Sequence, residues 1–304
     1  MNVAYLPLMK RFFKIYINYN LNFIDTIKIL NYILQMKYLD KVKKASNYIK
    51  KRTGLNLFNI AVIFGSGLSP SEEMLKGKVI PYEDIPFFPK ITVKGHKSRL
   101  ISININNRNV LFFLGRLHYY EGYSPLEVTF PIRIMKELGV RVLLITNAAG
   151  AIDTKYKPGD LMLIRDHINF TGNNPLIGPN IDEHGVRFVD MLEPYSKRLI
   201  NIIKKSNRIK FREGVYIGVT GPTYESAAEI KFYRSIGGNA VGMSTVFEAI
   251  VANHCSIETA GISCIVNAAL DVTKENINHE KILSISKMSE SKLLNIVKNF
   301  VGML

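Results

Sequence analysis

The sequence predicts an α/β fold: a single domain with a central mixed, largely parallel β-sheet flanked by helices. Three observations carry this. Short apolar runs alternate with stretches of helical periodicity. Several apolar runs lead straight into small and polar residues, as strands do at the carboxyl edge of an open α/β sheet. The chain has 304 residues, 47% of them hydrophobic, enough for a sizeable core.

The elements follow in order. Residues 36–54, MKYLDKVKKASNYIKKRTG, predict an amphipathic helix with Leu39, Val42, Ser46 and Ile49 on one face and Gly54 as its stop. Buried strands are expected at 59–65, 109–115, 141–147, 160–166, 214–221, 239–245 and 260–267. Helices are expected at 125–139, 224–237, 246–255 and 279–304. Small and polar loops follow at GSGLSP (65–70), NAAGA (147–151), GPTYES (221–226), GMST (242–245) and NAAL (267–270). In an open α/β sheet such loops converge on one crevice.

Composition narrows the function. The two cysteines, Cys255 and Cys264, stand in no metal-ligand or CxxC spacing, which fits a reducing cytoplasm. No apolar run approaches the roughly 20 residues of a membrane span, and Lys14, Asp25 and Lys28 interrupt the N-terminal stretch. The net charge is +15, but residues 1–54 carry +9 of it, leaving +6 for the other 250. That excess sits in a segment rich in Lys, Asn, Ile and Tyr, so it reads as biased composition and not as a nucleic-acid surface.

The stretch LGRLHYYEGY (114–123) places Arg116, His118 and Tyr120 at alternate positions. If extended, it puts a cation, an imidazole and a phenol on one face, with Leu117 and Tyr119 on the other. IFGSGLSP is a strand feeding a Gly-Ser-Gly turn: either a tight turn or an anion nest to which Ser66 adds a hydroxyl. It lacks the ending of a P-loop and the third glycine of a dinucleotide fingerprint. TNAAGA offers the amides of Ala148, Ala149 and Gly150 to an anion, or simply packs closely. Arg116 has the fork that matches phosphate oxygens, His118 can donate to the same oxygens, and Ser66, Ser244 and the Ala148 amide would complete a phosphate cradle. GPTYE sets Tyr224 beside Glu225: a stacking ring and a carboxylate for a heterocycle, or a helix start. Asn267 closes an apolar run with an amide that both donates and accepts, and His279 stands in the first turn of the last helix.

Together these residues resemble the trimeric purine nucleoside phosphorylases. The resemblance runs from about residue 37 to the end, through GSGL, VKGHKSRL, GRLHYYEGY, VTFPIRIMKELGV, TNAAGA, GDLMLIRDHINFTGNNPLIGPN, GPTYES, AVGMSTVFE and the Asn267…His279 pair. It implies cleavage of inosine, guanosine and their deoxy forms by inorganic phosphate, giving free purine and ribose 1-phosphate, with no metal and no organic cofactor. It implies that Ser66, His96, Arg116, His118, Ala148 and Ser244 hold phosphate. Tyr120, Met243 and His279 would line the ribose, and Tyr224, Glu225, Val241 and Asn267 the base. Glu121 would orient its neighbours. It further implies a homotrimer.

Tyr224 and Phe247 depart from the family's usual Phe and Pro, and the loop at 170–175 is shorter than in the animal enzymes. Residues 1–35 have no family counterpart and read as an extension ahead of a 36–304 phosphorylase domain, with Met36 as the expected natural start. The nearest alternative is a methylthioadenosine phosphorylase on the same fold, which generally carries Asp at the position of Asn267. More distant alternatives are a nucleoside hydrolase and a non-catalytic nucleoside or nucleic-acid binding protein.

Overall fold

The computed structural model describes residues 23–93, 96–272 and 279–304, with side chains from residue 33 and, in the last helix, from residue 282. Helix α1 (Phe23–Thr53) begins thirteen residues before the expected start, so the 35/36 boundary falls inside it. Leu39, Val42, Ser46 and Ile49 are all buried, as the periodicity predicts. Gly54 stops the helix at φ 75°, its N–H donating to the Lys50 carbonyl at 2.8 Å.

The strands are β1 (Ile60–Phe64), β2 (Lys78–Pro81), β3 (Arg99–Ile105), β4 (Arg108–Leu114), β5 (Val142–Ala151), β6 (Leu161–Asn169), β7 (Arg212–Gly218), β8 (Ala240–Gly242) and β9 (Glu258–Asn267). They form one mixed sheet in the order β2-β3-β4-β1-β5-β8-β7-β6-β9, and β9 also pairs with β5. The strands β5, β8, β7, β6 and β9 therefore close into a ring, from which β1 to β4 extend as an open wing. Among the described residues five of the nine pairings are parallel, which makes the sheet mixed with a parallel centre. β1 is buried along its whole length, as expected of a central strand with both faces covered. Each fully buried aliphatic or Phe side chain there contributes about 1.5–3 kcal/mol.

Helix α2 (Glu72–Leu75) is a single turn. The helix expected at 125–139 is two, α3 (Pro125–Val128) and α4 (Phe130–Glu137). Pro131 explains the break: it offers no N–H to the preceding turn, and its ring would crowd the Glu127 carbonyl. Helices α5 (Lys197–Ser206), α6 (Ala227–Ser235), α7 (Val246–His254) and α8 (His279–Met303) complete the layers. α6 starts three residues later than Tyr224 because Ser226 caps it in a box with Glu229. Tyr224 and Glu225 thus stay in the loop before the helix.

Two further corrections matter for the site. NAAGA is not a loop but the end of β5, paired with β9 and, from Gly150, with β8. LGRLHYYEGY is not a strand through Tyr120. His118 is still extended, but residues 119–121 form one 3-10 turn, because the Glu121 carboxylate reaches back to accept the His118 N–H at 2.8 Å.

The long connection after β6 is anchored through a buried arginine. Arg133 Nη1 donates to His254 Nδ1 at 2.8 Å, so His254 carries its own proton on Nε2, 3.0 Å from Asn180 Oδ1. Burial and the Arg133 charge push His254 down to about 4.

Candidate active site

The cavity arises from incomplete pairing along β5. On one side β1 pairs with it only as far as Ile145, and β8 only from Gly150. On the other side β9 follows it to Asn267. Residues 146–149 therefore have no strand neighbour on the β1 side, and the cavity opens there. It is lined by Ser66, Arg116, His118, Tyr120, Ala148, Tyr224, Glu225, Val241, Met243, Ser244 and Asn267. The β1 turn, the β4 exit, β5, the β7–α6 loop, β8 and the β9 end all contribute, so residues far apart in sequence meet as expected at the strand termini.

One end is cationic. Arg116 is 4% exposed. Its Nη1 donates to Ser244 Oγ at 3.1 Å, its Nε lies in ion-pair contact 3.2 Å from Glu248 Oε1, and its Nη2 has no hydrogen-bond partner among the described residues. The buried Ser66 hydroxyl likewise has none. Buried donors without partners are rare in a finished core and are the expected mark of a polar ligand's place.

His118 packs against Tyr120 with ring centroids 4.8 Å apart and against His96 at 5.2 Å. Its Nδ1 lies 3.3 Å from Glu121 Oε1. Thr92 donates to Glu121 Oε2 through its N–H at 2.8 Å and its hydroxyl at 2.6 Å. Burial alone would raise this carboxyl, but the donors from His118 and Thr92 more than offset it and hold Glu121 at about 2. Glu121 itself stays out of the cavity lining and acts on it through His118.

The other end is acidic and amidic. Burial raises the Glu225 carboxyl above its ordinary range. Asn267 Nδ2 donates to the Ala268 carbonyl at 2.9 Å, which fixes the amide's orientation. Gly150 lies directly opposite: a Cβ there would come within 3.2 Å of Asn267 Oδ1, so the glycine makes room for the amide. Val241, 2% exposed, pairs with Gly150 and floors this end. Tyr224, 42% exposed, stands at the mouth. Gly221, at φ 67°, is needed beside Met243, because a Cβ there would fall 2.3 Å from Met243 Sδ.

The His279 side chain lies outside the described residues; its backbone opens α8. His96 is described and touches the site through His118. Sequence reasoning missed Asn147, Ile282 and Glu248. Asn147 donates to Thr245 Oγ1 at 2.8 Å, and Ile282 reaches the cavity from α8. Glu248 left one signal, a lone acid in the apolar run VFEAIVA. Phe247 is buried with Leu117 and Val128, so this departure from the family pattern fills a small core beneath the site. Among the described residues, no group of three or more His, Cys, Asp and Glu could hold a metal ion, and no helix is long and apolar enough to cross a membrane.

Residues 59–302 match the family model described as the phosphorylase superfamily. The chain is 44% identical over 267 residues to purine nucleoside phosphorylase 1 of Bacillus subtilis (strain 168), spanning 86% of this chain and 98% of that protein. It superposes with a TM-score of 0.81 and 42% identity on isoform 2 of the Schistosoma mansoni purine nucleoside phosphorylase in complex with cytosine and ribose-1-phosphate, covering 87% of this chain and 96% of the other. A Schistosoma mansoni purine nucleoside phosphorylase solved with inosine and with adenosine gives a TM-score of 0.80 in both cases, at 34% and 35% identity, each covering 87% of this chain and at least 96% of the other. On these matches the chain belongs to the phosphorylase superfamily and, within it, to the purine nucleoside phosphorylases.

Proposed function

We propose that this cavity performs phosphorolysis of 6-oxopurine nucleosides, inosine and guanosine with their deoxy forms, with inorganic phosphate as co-substrate. One observation carries the reading: a buried guanidinium with an unspent donor faces a carboxylate and an amide across a single cavity. Phosphate sits on Arg116, Ser66, Ser244, His118 and the Ala148 amide, with His96 beside His118. The ribose lies along Tyr120 and Met243, with His279 on its 5′-hydroxyl. The purine packs between Tyr224 and Val241, with Glu225 accepting from a ring N–H and Asn267 contacting N7 and the 6-oxo group.

The chemistry follows from this placement. The glycosidic C1′–N9 bond breaks while a phosphate oxygen forms a bond to C1′. Positive charge grows on the ribose and negative charge on the departing purine. The phosphate dianion stabilises the first, and the Asn267 amide the second, through contacts that strengthen in the transition state. The cradle holds the nucleophile in line with C1′. No metal or organic cofactor has a role in this reading.

A homotrimer completes the reading. The exposed Phe170, Ile177, Phe188 and Leu192 support an assembly surface, and a sedimentation mass of a single chain would count against it. The two free, buried cysteines fit a cytoplasmic setting.

The direct test is hypoxanthine release from inosine with and without inorganic phosphate, with adenosine and methylthioadenosine in parallel. Phosphate-dependent release from inosine well ahead of the other two is the expected result. Release without phosphate would make the protein a hydrolase, and preference for methylthioadenosine would select the alternative phosphorylase.

The Glu225 carboxyl supplies a second check. Its proton binds at a pH above the ordinary carboxylate range, and the protonated group no longer offers a charged acceptor. The KM for inosine should therefore rise as pH falls through that raised value. Glu225→Gln should raise KM by about 10- to 100-fold, the loss of one charge-assisted hydrogen bond, and should abolish this acidic dependence. An acidic limb that persists in the variant would place the ionisation elsewhere.

A further inference from the structure

Arg116 is held on two edges by one helix and the turn that leads into it. Ser244, just before α7, accepts from Nη1, and Glu248, in its first turn, approaches Nε. Both side chains meet the same guanidinium from the start of α7. The turn that starts α7 is itself pinned. Thr245 stands at φ 73° and ψ −49°, a conformation that a β-branched residue keeps only when its surroundings impose it. Its hydroxyl accepts from Asn147, and the Thr245 carbonyl accepts from Ala249 at 2.8 Å.

The ion pair is dry, with side chains 3% and 5% exposed. Among the described residues three of its polar atoms, Arg116 Nε and Nη2 and Glu248 Oε2, make no hydrogen bond, and Nε meets Oε1 as an ion-pair contact. As pure scaffolding this would be a poor arrangement, because a buried ion pair offsets its desolvation only when its remaining donors and acceptors are satisfied. As half of a binding site it is coherent. Burial pushes the Glu248 carboxyl up while the Arg116 cation opposes that, so the charge of Glu248 depends on the arginine it faces.

We propose that Glu248 is a positioning residue for phosphorolysis: braced by α7, its Oε1 holds the Nε edge of Arg116 and so turns Nη2 toward the bound phosphate. This rests on reading the Arg116 end as the phosphate cradle. A guanidinium presents donors on several edges. With Nε claimed by Glu248 and Nη1 by Ser244, one orientation remains, and the phosphate meets Nη2 without a search.

Steady-state kinetics with phosphate and inosine varied separately test this. Glu248→Ala is expected to raise the phosphate KM by about 10- to 100-fold, the scale of a misplaced catalytic contact, while the inosine KM moves by less than about threefold. Glu248→Gln keeps an Oε1 acceptor at the same reach and is expected to restore the phosphate KM to within about fivefold of the parent. Equal losses for both substrates, or a Gln variant as impaired as Ala, would overturn the proposal. If Glu248→Ala does not fold, Glu248→Asp draws the acceptor back by one methylene. Its thermal midpoint should then rise less on adding inorganic phosphate than that of the parent, and an undiminished rise would overturn the proposal. Arg116→Met separates the two levels. If it leaves the phosphate KM unchanged, the cradle reading fails; if it raises that KM while no Glu248 variant does, only the role of Glu248 fails.

Discussion

Replacing Arg116 with Met is expected to lower kcat/KM for phosphate by about 10³-fold, while binding of hypoxanthine alone changes by no more than a few-fold. Removing one donor from a charge-stabilising site typically costs about 10²–10³ in rate, and here a full cation is lost as well. Arg116→Lys keeps the charge but loses the fork, so it should fall between Met and the parent. Met also leaves Glu248 buried without its partner, and breaking a buried pair this way destabilises by about 3–5 kcal/mol. The double variant Arg116→Met/Glu248→Leu removes that unpaired charge. It should recover much of the thermal midpoint and none of the phosphate turnover. Recovery of both would mean that Arg116 acts only through stability.

The second large effect is expected at Asn267. Asn267→Leu should reduce kcat for inosine by about 10²–10³-fold, since in the proposed reading its amide meets the charge that develops on the leaving purine. The loss should fall on kcat and kcat/KM together, the pattern of a contact made chiefly in the transition state. Asn267→Asp should instead change preference, raising adenosine cleavage relative to inosine, because a carboxyl meets a 6-amino group better than a 6-oxo group. Sites built to hydrogen-bond one functional group reject its replacement strongly. An unchanged adenosine-to-inosine ratio would remove Asn267 from the base contacts.

Much of this site could be read from the residues, and the failures have physical causes. An extended strand predicts the Arg116, His118, Tyr120 grouping. The structure brings the three together by a different route, a short extended exit and one 3-10 turn. The spacing was informative although the conformation was wrong, because Glu121 redirects the chain only after His118. NAAGA reads as a loop because it lacks bulky β-formers. Its pairing with β9 depends on a partner more than a hundred residues away, which local propensity cannot register. Pro131 is the local signal that divides 125–139, through its cost to a continuous helix. Glu248 is not legible in the sequence, because an acid within an apolar helix gives no sign of its partner until Arg116 is placed beside it.

The ring made by β5, β8, β7, β6 and β9 has a consequence for how copies of the chain can meet. A closed ring has no free ladder of N–H and C=O groups on which another strand can grow. Among the described residues, apart from the stretch of β5 that opens on the cavity, the sheet ends at β2, which is four residues long, carries Lys78 and ends in Pro81, a residue with no N–H to give. Chains of this protein are thus shielded from joining by strand addition, the route by which exposed sheets aggregate. Association is left to side chains on loops and helices, where shape and charge can limit it to a defined number of copies.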